Sequence, residues 1–251
     1  MDRFHDVRLG PWGWSALLVL VVALGLLIYG RVMDDRLLRA DPGDLARHPA
    51  LLAHAHRSGR RVFEANCAAC HGGAGKGDPA RGVPDLTDAD WLYGEGSIAE
   101  IEAITAHGIR AHAPHTLSLA EMPAYAHPRP STTEPIPPLS PQDIRDMTEY
   151  VVALSGRPGD RAAAARAALV FQGRGGCYDC HGADGGGDSA IGAPRLTDAI
   201  YLYGGTRADI AWTLAEGRHG VSPAYSGRLS PLKIREAAIY VWSFSHRGGA
   251  G

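Results

Sequence analysis

The stretch from Trp12 to Tyr29, WGWSALLVLVVALGLLIY, is apolar with no helical alternation and no charge over 18 residues. That length is close to what a helix needs to cross a hydrocarbon core. Trp12, Trp14 and Tyr29 fall at its ends, where interfacial aromatics belong. Residues 1–30 therefore read as a membrane anchor. A cleaved signal peptide fits less well, because Ala23-Leu24-Gly25 lies inside the apolar run rather than after it. Residues 31–58 are polar and charged, with an early Asp41-Pro42-Gly43 turn, and read as a juxtamembrane linker.

Beyond residue 58 the apolar pattern is helical and occurs twice. Ile144, Met147, Tyr150, Val151 and Leu154 lie on one face of a helix. Ile98–Gly108 and Ile210–Gly217 carry similar spacing, and little of the chain alternates as a strand would. Ser140-Pro141 and Ser230-Pro231 look like an N-cap followed by Pro at the first helical position. The segment PDLTDADWLYG (84–94) matches PRLTDAIYLYG (194–204), at an offset of 110. MPAY (122–125) matches SPAY (222–225) at an offset of 100, and LSPQDIRDMTEYVVALS (139–155) matches LSPLKIREAAIYVWSFS (229–245) at 90. The shrinking offset places two insertions of about ten residues in the first copy. One lies between Gly108 and Met122, and the other is the Pro-rich stretch 126–138. The expectation is an all-α protein, with an N-terminal transmembrane helix followed by two small domains at 59–156 and 161–247. Residues 157–160 would link them.

Composition excludes several classes. A chain of 251 residues with 45% hydrophobic residues is globular, and a net charge of −2 does not suit a nucleic-acid binder. Four cysteines are too few for a disulfide scaffold. They fall as Cys67/Cys70 and Cys177/Cys180, each pair followed directly by His71 or His181. C-x-x-C-H is the attachment pattern of c-type haem: two thiols add to two vinyl groups, and the adjacent imidazole falls under the iron. A lone CxxC is also compatible with a redox dithiol or half a zinc site, but two copies with no further cysteine favour two covalently attached haem c groups.

In the first copy Met122 stands where a thioether ligand is expected. In the second, Ser222 occupies that position, and no Met follows Met147. His219, a water-filled or vacant position, and less readily His246, are the alternatives for that iron. His107, His112, His115 and His127 cluster around the insertions, either as solvated loop residues or as a copper or zinc site. By sequence copy the charge is uneven. Residues 61–156 carry 6 basic and 13 acidic side chains, whereas residues 157–251 carry 11 basic and 8 acidic. An acidic first domain would steer a basic partner or meet a basic surface.

These residues resemble the class I cytochrome c fold: Gly59 and Phe63 with Tyr150 for the packed terminal helices, the two C-x-x-C-H motifs, the Pro-x-Leu at Pro84 and Pro194, and Met122-Pro123. The resemblance implies that the carbonyls of Pro84 and Pro194 accept from the proximal histidines. More narrowly, one anchor followed by two such domains resembles the dihaem CcoP/FixP subunit of cbb3-type cytochrome c oxidases. The segments LTDADWLYG, HGI, MPAY, GRHGVSPAY and IYVWSFS carry it, with Ser222 and Tyr201 as departures. The implied function is electron transfer, with no bond chemistry in this chain alone. Electrons would pass from a periplasmic donor cytochrome c through this chain to a monohaem cytochrome c subunit and the haem–copper catalytic subunit. Haem attachment outside the bacterial inner membrane implies a single-pass chain, with a cytoplasmic N-terminus and periplasmic domains. A dihaem acceptor for another periplasmic oxidoreductase, or a gas-binding site at the second haem, are the other functions open to this sequence.

Overall fold

A computed structural model describes residues 10–130 and 136–246. Arg3, Arg8, the middle of the Pro-rich stretch (131–135) and position 247 lie outside the described residues. Within them the regular structure is helical, with isolated β-bridges and no sheet. Helix α1 (Pro11–Arg39) has Pro at its first turn and Arg36 and Arg39 in its last, matching the helix dipole. Its side chains from Trp14 to Tyr29 are exposed on every side, as suits a helix that meets lipid. At 1.5 Å per residue it extends roughly 43 Å, more than a hydrocarbon core requires. The surplus is structured: Met33 and Leu37 are buried.

The expected juxtamembrane linker is therefore part of a core. After a 3-10 turn at Leu45–Arg47, α2 runs from Pro49 to Asn66. Leu37, Leu45, Leu52 and Ala55 join Phe63, Ile98 and Ile101 in one apolar cluster. Arg235 locks the end of α1 to it. One guanidinium nitrogen donates to the carbonyls of Leu37, Leu38 and Ala40, and the other two bind Glu102 at 2.9 and 3.1 Å.

The remaining helices are α3 (Ala68–His71), α4 (Ile98–His107), α5 (Pro141–Leu154), α6 (Arg161–Gln172), α7 (Tyr178–His181), α8 (Arg207–Glu216) and α9 (Pro231–Ser245). Their packing departs from two contiguous domains. Helix α9 packs on α2 and α4, whereas α5 packs on α6 and α8. The two copies have exchanged their C-terminal halves. A first unit comprises the end of α1 with α2, α3, α4 and α9, and a second unit comprises α5 to α8. Phe63 meets Tyr240 and Phe244, with ring centroids 5.5 and 5.3 Å apart. Tyr150, expected on Gly59 and Phe63, meets Phe171 instead at 5.1 Å. Gly59 remains the close-approach residue, but against α9: a Cβ there would lie 2.1 Å from the Glu236 carbonyl oxygen. Residues 157–160 are then a hairpin turn inside the second unit rather than a link between domains.

Charge explains the choice of partner. Along α5, Asp143, Asp146 and Glu149 pair with Arg174, Arg166 and Arg207 of the second unit. Exchange also dissolves the electrostatic asymmetry between the copies. Residues 112–219 carry 12 acidic and 9 basic side chains, so the acidic first domain expected to steer a partner does not exist as a body.

Candidate haem sites

Each C-x-x-C-H motif forms a short turn of helix, α3 directly after α2, and α7 after the glycine-rich turn at 173–176 that follows α6. Phe63 accepts Cys67 N–H through its carbonyl, and His71 N–H bonds back to the Cys67 carbonyl. The second motif repeats this with His181 on the Cys177 carbonyl at 3.0 Å. All four thiols are free. His71 Nδ1 lies 3.3 Å from the Pro84 carbonyl oxygen, and His181 Nδ1 lies 2.9 Å from that of Pro194. A carbonyl only accepts, so Nδ1 carries the proton and each Nε2 keeps its lone pair for a metal. Burial holds both imidazoles below their ordinary pKa, which keeps them neutral as ligation requires. Burial also pushes the Cys67 thiol up, to about 11. A donor set of two unpaired thiols and one oriented neutral imidazole, present twice, fits a covalently attached haem c.

The distal segments are where the exchange matters. The Met122 and Arg218 backbones bond each other at 3.0 and 2.9 Å, and Tyr125 and Ala126 donate to Leu214 and Ala215 of α8. Met122 accordingly packs against the cluster that contains Tyr125, Phe171 and Cys177. The Tyr125 hydroxyl lies 3.8 Å from Cys177 Sγ. The matching loop takes the opposite course. Ser222 pairs with Ile109, Tyr225 and Ser226 donate to Thr105 and Ala106 of α4, and the Tyr225 hydroxyl donates to the Asn66 carbonyl at 2.8 Å. The first insertion, expected as a loop, supplies the crossing. Met122 is thus grouped with His181, and Ser222 with His71, the reverse of the pairing by sequence copy.

His219 is exposed, on the strand-like segment that pairs with Met122. His246 stacks on Trp242 at 4.3 Å and bonds its carbonyl. Among the described residues no group of three or more His, Cys, Asp or Glu side chains is arranged to hold a metal ion, although the His107 and His115 rings meet at 5.5 Å. Trp91 and Tyr201 take equivalent places in the two cores. Tyr201 accepts from Arg157 at 2.9 Å, a bond that sequence reasoning did not foresee. The units meet through Tyr93 and Tyr203, which lie against Gly192 and Gly82; both glycines have positive φ and no room for a Cβ.

The chain is similar in sequence to known cytochromes. The Cytochrome c family matches residues 57–155. The cbb3-type cytochrome c oxidase subunit FixP of Azorhizobium caulinodans is 37% identical over 92% of this chain and 74% of its own. Subunit CcoP of Cereibacter sphaeroides is 38% identical over 82% of this chain and 67% of its own. That of Rhodobacter capsulatus is 39% identical over 85% and 70%.

Proposed function

Because the chain belongs to the CcoP/FixP family of cbb3-type cytochrome c oxidase subunits, we propose that it is a membrane-anchored electron-transfer subunit carrying two covalently attached haem c groups. The observation that carries the reading is the duplicated donor set: free thiols beside an imidazole whose Nδ1 is tied to a proline carbonyl. Bound haem c supplies an iron that alternates between ferric and ferrous states. Cys67 and Cys70 would hold the first group, with His71 as an iron ligand; Cys177, Cys180 and His181 would do the same for the second. Pro84 and Pro194 fix the imidazole planes.

Met122 would supply a thioether to the second haem, since it packs against the cluster that contains Cys177. The first haem has Ser222 in the corresponding place and no thioether. A thioether raises the potential of a haem iron, so the second haem is the more readily reduced. The relatives are named as oxidase subunits, which favours an oxidase over another periplasmic oxidoreductase as the assembly. Attachment chemistry puts the haem units in the periplasm, with the N-terminus of α1 in the cytoplasm. Partners are then a donor cytochrome, a monohaem cytochrome c subunit and the haem–copper subunit.

Haem stoichiometry tests the reading. Alkaline pyridine haemochrome and intact mass of the purified chain give two haems, falling to one in Cys67→Ser/Cys70→Ser and in Cys177→Ser/Cys180→Ser. A wild-type chain with one haem, or none, contradicts it.

A further inference from the structure

Each unit buries one arginine, but differently: Arg235 of the first unit is paired with Glu102, whereas Arg129 of the second has no ion pair among the described residues. Arg129 is 8% exposed and lies over the Tyr125 ring, 4.6 Å from its centroid. It donates to the carbonyls of Gly175 and Arg174, each at 3.0 Å. Those carbonyls belong to the turn immediately before Cys177. Its Nε is the buried side-chain polar atom left without a hydrogen-bond partner among the described residues. The repeat supplies a control. Arg228 stacks on Tyr225 at 4.2 Å, but it is exposed and donates to Ala224 rather than to the turn before Cys67. The backbones of Arg129 and Ile136 bond each other at 2.9 and 2.7 Å. Cys177 is buried, at 6% exposure, whereas its counterpart Cys67 is only half-buried.

We propose that Arg129 is a positioning residue for the second haem: it fixes the turn that presents Cys177 and holds a buried positive charge beside that haem, raising its reduction potential. The proposal rests on the reading of the second motif as a haem site. A positive charge disfavours the ferric state, which carries one more positive charge than the ferrous, and burial strengthens the effect. Arg129 thereby adds to the asymmetry that Met122 and Ser222 already create.

The test is a spectroelectrochemical titration of the full-length, haem-loaded chain, compared with Arg129→Met and Arg129→Lys. The haem that disappears in Cys177→Ser/Cys180→Ser identifies the second component. In Arg129→Met, that component's reduced-to-oxidised ratio at fixed potential falls by about tenfold, and the other component stays in place. Arg129→Lys, which keeps the charge, retains a potential near wild type. Unchanged potentials in Arg129→Met, or equal falls in both variants, overturn the proposal. If Arg129→Met does not retain its second haem, Arg129→Lys decides: a wild-type potential supports the charge role and a fallen one overturns it. A wild-type chain without a second haem instead refutes the underlying reading.

Discussion

Met122 and Arg218 exchange both backbone hydrogen bonds, although an entire C-x-x-C-H motif lies between them in the chain. Ser222 and Ile109 do the same at 2.9 Å in each direction. These two pairs are the crossing point at which each copy hands its distal loop and last helix to the other. The result is one interlocked body with two dissimilar candidate haem sites.

The exchange makes the first copy incomplete alone. A chain ending at Gly156 lacks α9, so Phe63, Ile98 and Ile101 lose the face formed by Ala238, Ile239 and Phe244. Each large side chain so exposed costs about 1.5–3 kcal/mol, and several together approach the whole stability of a small domain. The truncated chain in detergent is expected to show no cooperative thermal transition. A sharp transition with a full complement of one haem would mean that α5 can serve α2.

Restoring the missing thioether should change the first haem. Ser222→Met places a soft ligand in the segment bonded to Ile109. The expected outcome is a six-coordinate low-spin ferric spectrum at that haem and a higher potential, with the second haem unmoved. A shift in the second haem would contradict the grouping of Ser222 with His71.

Acid should weaken the second unit through α5. Arg174 holds the Asp143 carboxyl at about 2, against an ordinary 3.8, and the N-cap Ser140 adds to the shift. Arg166 and Arg207 lower Asp146 and Glu149. A carboxylate with a depressed folded-state pKa stabilises the fold fully above its unfolded pKa, and the contribution is lost as pH falls through the folded value. Stability measured by denaturant should therefore fall between about pH 4.5 and pH 2. Asp143→Asn should flatten that fall and cost about 1 kcal/mol at neutral pH through the lost cap and ion pair.

Arg235 joins anchor to haem unit. Replacing it by Met leaves Glu102 and the carbonyls of Leu37, Leu38 and Ala40 without their shared donor. Breaking one side of a buried pair costs about 3–5 kcal/mol. A lower denaturation midpoint and faster amide exchange over residues 37–40 are expected. An unchanged midpoint would show that apolar packing alone mounts the unit on α1.

The duplicated motifs, the helical pattern and the Ser-Pro caps could be read directly because each is a local signal. Ser140 does cap α5 by bonding Asp143 N–H at 3.1 Å, and Ser230 caps α9. The exchange is non-local, and two copies with nearly the same apolar face give periodicity no means of choosing between them. The signal that did distinguish them was charge. The uneven count between the copies was read as an external steering field, yet Asp143, Asp146 and Glu149 answer Arg174, Arg166 and Arg207 within one unit. Burial of Arg129 is equally out of reach of a local pattern, since its guanidinium is held by the Gly175 and Arg174 carbonyls, more than forty residues away.

The grouping of Met122 with His181 is tested most directly by NMR of chains holding a single haem. A methionine bound to haem iron shows its methyl protons far outside the ordinary range, shifted by the porphyrin ring current in the ferrous state. Cys67→Ser/Cys70→Ser, which keeps only the second haem, is predicted to retain that signal, and adding Met122→Leu to it should abolish the signal. Cys177→Ser/Cys180→Ser, which keeps only the first haem, is predicted to lack it. A Met122-dependent signal in the chain with only the first haem would contradict the exchange.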